Sequence, residues 1–276
     1  MKKMTSLVVM LLLVVTAFAQ NSYTTLTDIA YHADAGEYAA ERCKLDFYYP
    51  TDKKDFPVVV WFHGGGLTGG ERYVPDELKN SGIGVVAVNY RLLPKAELPD
   101  VIDDAAAAVA WAFNNVARYG GDVKKIFVSG HSAGGYLTDM VGLDKKWLQK
   151  YGIDADSIAA LAPFSGQVIT HFAYREIKGM KPTQPLIDEW APLYYVRPDA
   201  PPIIIISADR EMELYGRYEE TAYFWRMLKL CGHQQAHLYE LQGFNHGSMA
   251  GPAGLILKRY IQSMERGRFP SREASF

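Results

Sequence analysis

The residues best placed to do chemistry are Gly130-His131-Ser132-Ala133-Gly134-Gly135. An apolar run, Lys125-Ile126-Phe127-Val128-Ser129, precedes them and a helix-compatible segment follows. Strand, sharp turn and helix with a serine at the apex describe a nucleophile elbow. The turn strains the serine backbone, and glycines at its flanks leave room for it. The chemistry is acyl transfer, with Ser132 as the nucleophile. The competing role for Ser132 is a structural helix N-cap, a position serine favours.

Serine chemistry also needs a base, a group that orients the base, and donors for an oxyanion. In a fold with this elbow the chain order is Ser, acid, His. His246, in Gly243-Phe244-Asn245-His246-Gly247, follows the last expected strand and is the candidate base. His233 and His237 are its rivals, the first at a helix end and the second inside a strand. Their spacing straddles two elements and lacks the helical geometry of a metal pair. The acid must come from Ile206-Ser207-Ala208-Asp209-Arg210-Glu211-Met212-Glu213. Residue type favours Asp209, Glu211 stays open, and Glu213 is the weakest candidate of the three. The oxyanion donors are the backbone amides of Gly65 and Gly66, in His63-Gly64-Gly65-Gly66, with that of Ala133. His63 is read as a structural residue bonding within its loop.

The elements that position these residues alternate along the chain. Apolar runs at 57–62, 84–89, 126–128, 159–162, 203–206 and 236–240 read as strands, with 45–49 an alternating strand before them. Unbroken apolar strands are buried on both faces, as in a parallel sheet covered by helices. Helices are expected at 100–119, 133–150, 217–230 and 255–266. The alternation predicts an α/β fold, doubly wound, with a mostly parallel sheet and helices on both faces. Residues 165 to about 200 break the pattern with scattered prolines and aromatics, and are expected to form a small lid or pocket wall.

The chain has 276 residues, 49% hydrophobic and 22% charged, with a net charge of −2. That suits one large domain and gives no footprint for nucleic-acid binding. Residues 1–19 read as a signal peptide: Met1-Lys2-Lys3, an apolar stretch from Ser6 to Phe18, and small residues at Ala17 and Ala19. The stretch is short of the roughly 20 residues a membrane span needs. A secreted or periplasmic protein is expected, with residues 20–276 as a single catalytic domain. Cys43 and Cys231 are expected to be unrelated thiols.

Taken together these motifs resemble the α/β-hydrolase superfamily. Within it they resemble the hormone-sensitive-lipase-like carboxylesterases and the secreted feruloyl and carbohydrate acetyl esterases. The resemblance runs through His63-Gly64-Gly65-Gly66, Asn89-Tyr90-Arg91-Leu92-Leu93-Pro94, Leu98-Pro99 with Asp103-Asp104, Tyr119-Gly120-Gly121-Asp122, the elbow, Ala200-Pro201-Pro202 and the His246 loop. It implies Ser132 as nucleophile, His246 as base and Gly65, Gly66 and Ala133 as oxyanion donors. It also places the acid three residues after a small residue closing the strand, which from Ala208 is Glu211. An aspartate is usual there, so the acid stays between Glu211 and Asp209. The implied activity is hydrolysis of short-acyl or hydroxycinnamoyl esters of carbohydrates through an acyl-serine, with no metal or cofactor. The alternatives are a secreted single-domain peptidase or amidase of the prolyl-oligopeptidase type, and a catalytically silent binding module on the same scaffold.

Overall fold

Strands made of valine and isoleucine form the centre of the sheet, because they are buried on both faces. The computed structural model describes residues 22–32, 36–214 and 216–267, so the expected signal peptide lies outside the described residues. The strands are β1 (Tyr23–Ala30), β2 (Lys44–Pro50), β3 (Phe56–Phe62), β4 (Gly84–Val88), β5 (Gly121–His131), β6 (Ala160–Phe164), β7 (Ile203–Ala208) and β8 (Ala236–Leu241). Every residue of β3, β4 and β7 is buried. The helices are α1 (Glu37–Arg42), α2 (Leu98–Asn115), α3 (Ala133–Leu143), α4 (Lys146–Gln149), α5 (Phe172–Ile177), α6 (Arg217–Leu230) and α7 (Ala250–Glu265).

The strand order is β1-β2-β4-β3-β5-β6-β7-β8. β2 runs antiparallel to both β1 and β4, and all other pairs are parallel. Val60 faces Val86 on one side and Val128 on the other, so the central register aligns valine with valine. Alternation then divides the core. Val58, Val60 and Phe62 pack with the alanines of α2, with Leu137 and Met140 of α3, and with Phe224 and Leu228 of α6. Val59, Trp61 and Ile204 pack with Ala253, Leu257 and Ile261 of α7 on the opposite face. The expected doubly wound sheet with helices on both faces is the observed one.

Strand β1 and the short helices α1 and α5 were not expected, and two of the expected helices have other bounds. The helix expected over 133–150 is broken at Asp144, whose backbone is extended (φ −87, ψ 94). The last helix begins at Ala250, not 255, because Met249 and the Asn245 carbonyl start its winding within the loop. Both cysteines are free, as expected. Among the described residues no helix is long and apolar enough to cross a membrane.

Candidate active site

Five loops meet at the carboxyl ends of the parallel strands β3, β5, β6, β7 and β8, where open α/β sheets bind ligands. Ser132 sits between β5 and α3 with φ 57 and ψ −114, a conformation that costs a non-glycine residue energy. Its side chain makes no capping hydrogen bond to α3, which removes the N-cap alternative. The flanking glycines are there for close approach. A methyl group on Gly134 would lie 2.0 Å from the Phe62 carbonyl oxygen, and one on Gly130 would lie 2.5 Å from the Gly134 carbonyl carbon. The Ser132 amide donates to the Phe164 carbonyl at 2.8 Å, tying the elbow to β6.

The loop after β3 turns back over the elbow. Gly65 has φ 113 and Gly66 φ 66, and the Gly65 carbonyl accepts the amides of Thr68 and Gly69. A Cβ on Gly64 would be 3.4 Å from Ser132 Cβ, so this loop lies directly against the nucleophile. The amides of Gly65, Gly66 and Ala133 have no protein acceptor among the described residues, which leaves them free for a ligand oxygen. His63 serves the loop, as expected. Its Nδ1 lies 2.6 Å from the Gly64 carbonyl, and its ring stacks on Tyr90 at 4.4 Å. Burial holds the His63 pKa down at about 4, so the ring is neutral at physiological pH.

The segment 89–93 supports that loop. The Tyr90 hydroxyl donates to the His63 carbonyl at 2.7 Å, and the Leu93 amide donates to the Leu67 carbonyl at 2.8 Å. Arg91 is fixed in turn by a fork onto buried Asp104, from Nε at 2.9 Å and Nη2 at 2.8 Å. Asp104 lies within α2 and anchors the loop through Arg91.

His246 is the histidine brought to the elbow. Its loop is an Asx turn, in which Asn245 Oδ1 accepts the amides of Gly247 and Ser248. The His131 ring, next in sequence to Ser132, donates from Nε2 to the His246 carbonyl at 2.7 Å, and the two rings are 4.8 Å apart. Burial first, then the neighbouring His246, lowers the His131 pKa to about 4. His233 is instead buried away from the site on the Ala200 and Pro201 carbonyls. His237 pairs in β8 opposite Ile204, in the interior of the strand.

Neither Glu211 nor Asp209, the two carboxylates expected to orient His246, bonds it. Glu213 Oε1 receives His246 Nδ1–H at 2.6 Å. The cause is local winding: the Asp209 carbonyl accepts the amides of Met212 and Glu213 at 2.9 and 2.8 Å. One helical turn carries Glu213 above Asp209, facing the base, and turns Glu211 outward to solvent. Asp209 clasps the two loops together, accepting the Glu211 amide at 2.9 Å and the Gly243 amide at 2.7 Å. Arg210 forks onto Glu240 of β8.

The Glu213 side chain is 1% exposed. Burial raises its pKa, but the hydrogen bonds from His246 and Ser165, the His246 charge and the Leu214 amide outweigh it. The carboxyl is held at about 2. A carboxylate on Nδ1–H leaves the Nε2 lone pair of His246 as the basic one. Ser165, which contributes the second side-chain bond to Glu213, carries no sequence signal of its own and was not expected.

The segment 165–200 forms a wall beside the oxyanion loop. The Phe172 ring tip would lie 3.3 Å from a Cβ on Gly66, and the Tyr136 hydroxyl holds the Trp190 carbonyl at 2.7 Å. Among the described residues one set of metal-type donors, His32, Cys43 and Asp104, lies within 4.8 Å. Both oxygens of Asp104 are taken by Arg91, and burial pushes the Cys43 thiol far up, so this set fits an ion-pair network and not a metal.

Residues 45–162 match the BD-FAE family. A carboxylesterase of Mycobacterium tuberculosis, NlhH, is 39% identical over 97 residues, 33% of this chain and 30% of that protein. Esterase LipC of the same organism is 25% identical over 244 residues, 78% of this chain and 60% of that protein. The chain therefore spans under two thirds of the length of these relatives. A solved structure described as a truncated form of carbohydrate esterase from gut microbiota superposes with a TM-score of 0.73. It is 18% identical, and the match covers 91% of this chain and 99% of that one. Sheet order, elbow and glycine loop are those of the α/β-hydrolase fold, and the sequence is similar to carboxylesterases over part of its length.

Proposed function

We propose that this protein is a secreted serine esterase that hydrolyses carboxylic esters of carbohydrates through an acyl-serine intermediate. The observation that carries this is the hydrogen-bonded pair His246–Glu213, tied to the elbow by the bond from the His131 ring, next to Ser132, to the His246 carbonyl. His246 Nε2 takes the Ser132 proton as Oγ bonds to the ester carbonyl carbon. The carbonyl oxygen becomes an oxyanion facing the amides of Gly65, Gly66 and Ala133. The C–O bond to the alcohol then breaks, and the imidazolium returns its proton to the departing oxygen. Water repeats the sequence on the acyl-serine, releasing the carboxylic acid and restoring Ser132. Glu213 stays ionised throughout and stabilises the imidazolium. Loss of one oxyanion donor in such a site costs about 2.7–4 kcal/mol of barrier.

A carbohydrate leaving group is supported by a recess of about 220 Å³ between the turn at 76–78 and the start of α7. Trp61 and Tyr73 line it, with Asp76 and Glu77 beside them. Trp61 is buried beneath it, so the exposed Tyr73 ring and the two carboxylates are the groups that would meet a polyhydroxylated ring. Trp61 and Ala250, both lining residues, are close in sequence to His63 and His246. The leader-like residues 1–19 support export.

The test uses p-nitrophenyl acetate and a fluorophosphonate probe on the wild-type protein and Ser132→Ala. Turnover and labelling are expected only when Ser132 is present, and their absence from the wild type overturns the esterase reading. Acetylated xylan, methyl ferulate and proline amides then separate carbohydrate esters from other substrates. Preference for a proline amide would favour the peptidase alternative.

A further inference from the structure

Ser165 follows β6, and its backbone has φ 45. An L-residue in the left-handed region carries a steric cost that glycine does not incur. A glycine here would relieve the backbone, so the side chain must return something. Its Oγ has two partners. It accepts the Ala208 amide at 3.3 Å and donates to Glu213 Oε2 at 2.5 Å. The amide settles the direction, because an N–H can only donate. The hydroxyl proton is therefore aimed at the carboxylate.

Glu213 then has three donors in fixed places. His246 Nδ1 and the Leu214 amide bind Oε1, at 2.6 and 2.7 Å, and Ser165 binds Oε2. Oε2 is the oxygen that His246 does not touch, so Ser165 sets the rotation of the carboxylate plane. Ser165 is itself held from behind. The Arg217 guanidinium, 3% exposed, donates from Nη1 to the Ser165 carbonyl at 2.6 Å. Arg217 Nε lies 3.3 Å from Glu220 Oε1, and Glu220 Oε2 accepts the amides of Val168 and Ile169. Gln167 donates to the same Glu220 and accepts the Phe172 amide. The chain of bonds thus runs from the acid to the wall that touches the oxyanion loop.

We propose that the Ser165 hydroxyl is a positioning group for the His246–Glu213 pair, with Arg217 holding its backbone in the strained conformation that aims it. The proposal rests on the esterase reading for its effect on rate, but not for its effect on the histidine.

Two substitutions separate the hydroxyl from the backbone. Ser165→Gly removes the hydroxyl and relieves the strain, and Ser165→Thr keeps the hydroxyl and adds strain. For Ser165→Gly the expected result is a Tm at or above wild type, a kcat on p-nitrophenyl acetate lower by about tenfold and an unchanged KM. For Ser165→Thr it is a lower Tm with kcat kept within about threefold of wild type. A merely structural serine would make activity follow stability, the opposite order. The low-field proton resonance of His246 Nδ1–H gives a readout that needs no turnover. It is expected in the wild type and Ser165→Thr, and broadened or lost in Ser165→Gly. Retention of that resonance in Ser165→Gly, at unchanged kcat or in a protein without esterase activity, overturns the proposal.

Discussion

Replacing Glu213 by glutamine preserves the shape of the side chain and removes its charge. The amide can present an N–H to His246 and favour the wrong tautomer, with the proton on Nε2. A fall in kcat of about 10³–10⁴-fold is expected, against little change for Glu211→Gln, and steady-state kinetics on p-nitrophenyl acetate will read both. The elbow at Ser132 and the turn at Gly65 and Gly66 were legible in the sequence because each is declared by glycines. The carboxylate that bonds His246 was not. Asp209, Glu211 and Glu213 differ only in where one turn of backbone aims them, and that turn is closed by the Asp209 carbonyl, which residue types do not reveal. Ser165 was hidden for a related reason: its partners come from residues 43 and more positions away.

At the scale of elements, the central strands were legible because burial on both faces leaves unbroken apolar runs. β1 was missed because it is an edge strand with only Tyr23, Leu26 and Ile29 partly buried, a spacing of three and not two. A bulge between Leu26 and Ile29 shifts its register against β2. α3 presents another feature, a fully buried Asp139 with no hydrogen-bond partner on either carboxylate oxygen among the described residues. Burial raises its pKa well above 3.8, so folding favours the protonated form. A raised carboxyl weakens the fold as pH climbs from the unfolded value towards the folded one, by about 1.4 kcal/mol per unit. Asp139→Asn is neutral at every pH. Its Tm is expected to exceed that of the wild type at pH 7 and to match it near pH 3.5, by calorimetry at the two values.

Across the whole molecule, histidines buried in neutral form set the acid limit. His63 and His131 have pKa values of about 4, and His171 lies well below its usual 6.5, in each case chiefly from burial. A lowered histidine stabilises the fold fully above pH 6.5, where folded and unfolded rings are both neutral. That stabilisation is lost as pH falls from 6.5 towards 4, because the unfolded chain takes up protons that the folded one refuses. Each ring contributes up to about 1.4 kcal/mol per unit across that window. Thermal melts from pH 7.5 to 4 should show Tm falling below 6.5, with a shallower fall in a His63→Asn variant. The sheet also sorts its tasks by position. The oxyanion loop, elbow, Ser165, acid and base follow β3, β5, β6, β7 and β8, so one end of the sheet carries all of them. The exposed turn at 51–55 before β3 lies at the other end, roughly 20 Å away along a seven-residue strand. A tether inserted there would hold the protein to a surface or a partner domain with its working face turned outward, free to meet a substrate too large to diffuse to it.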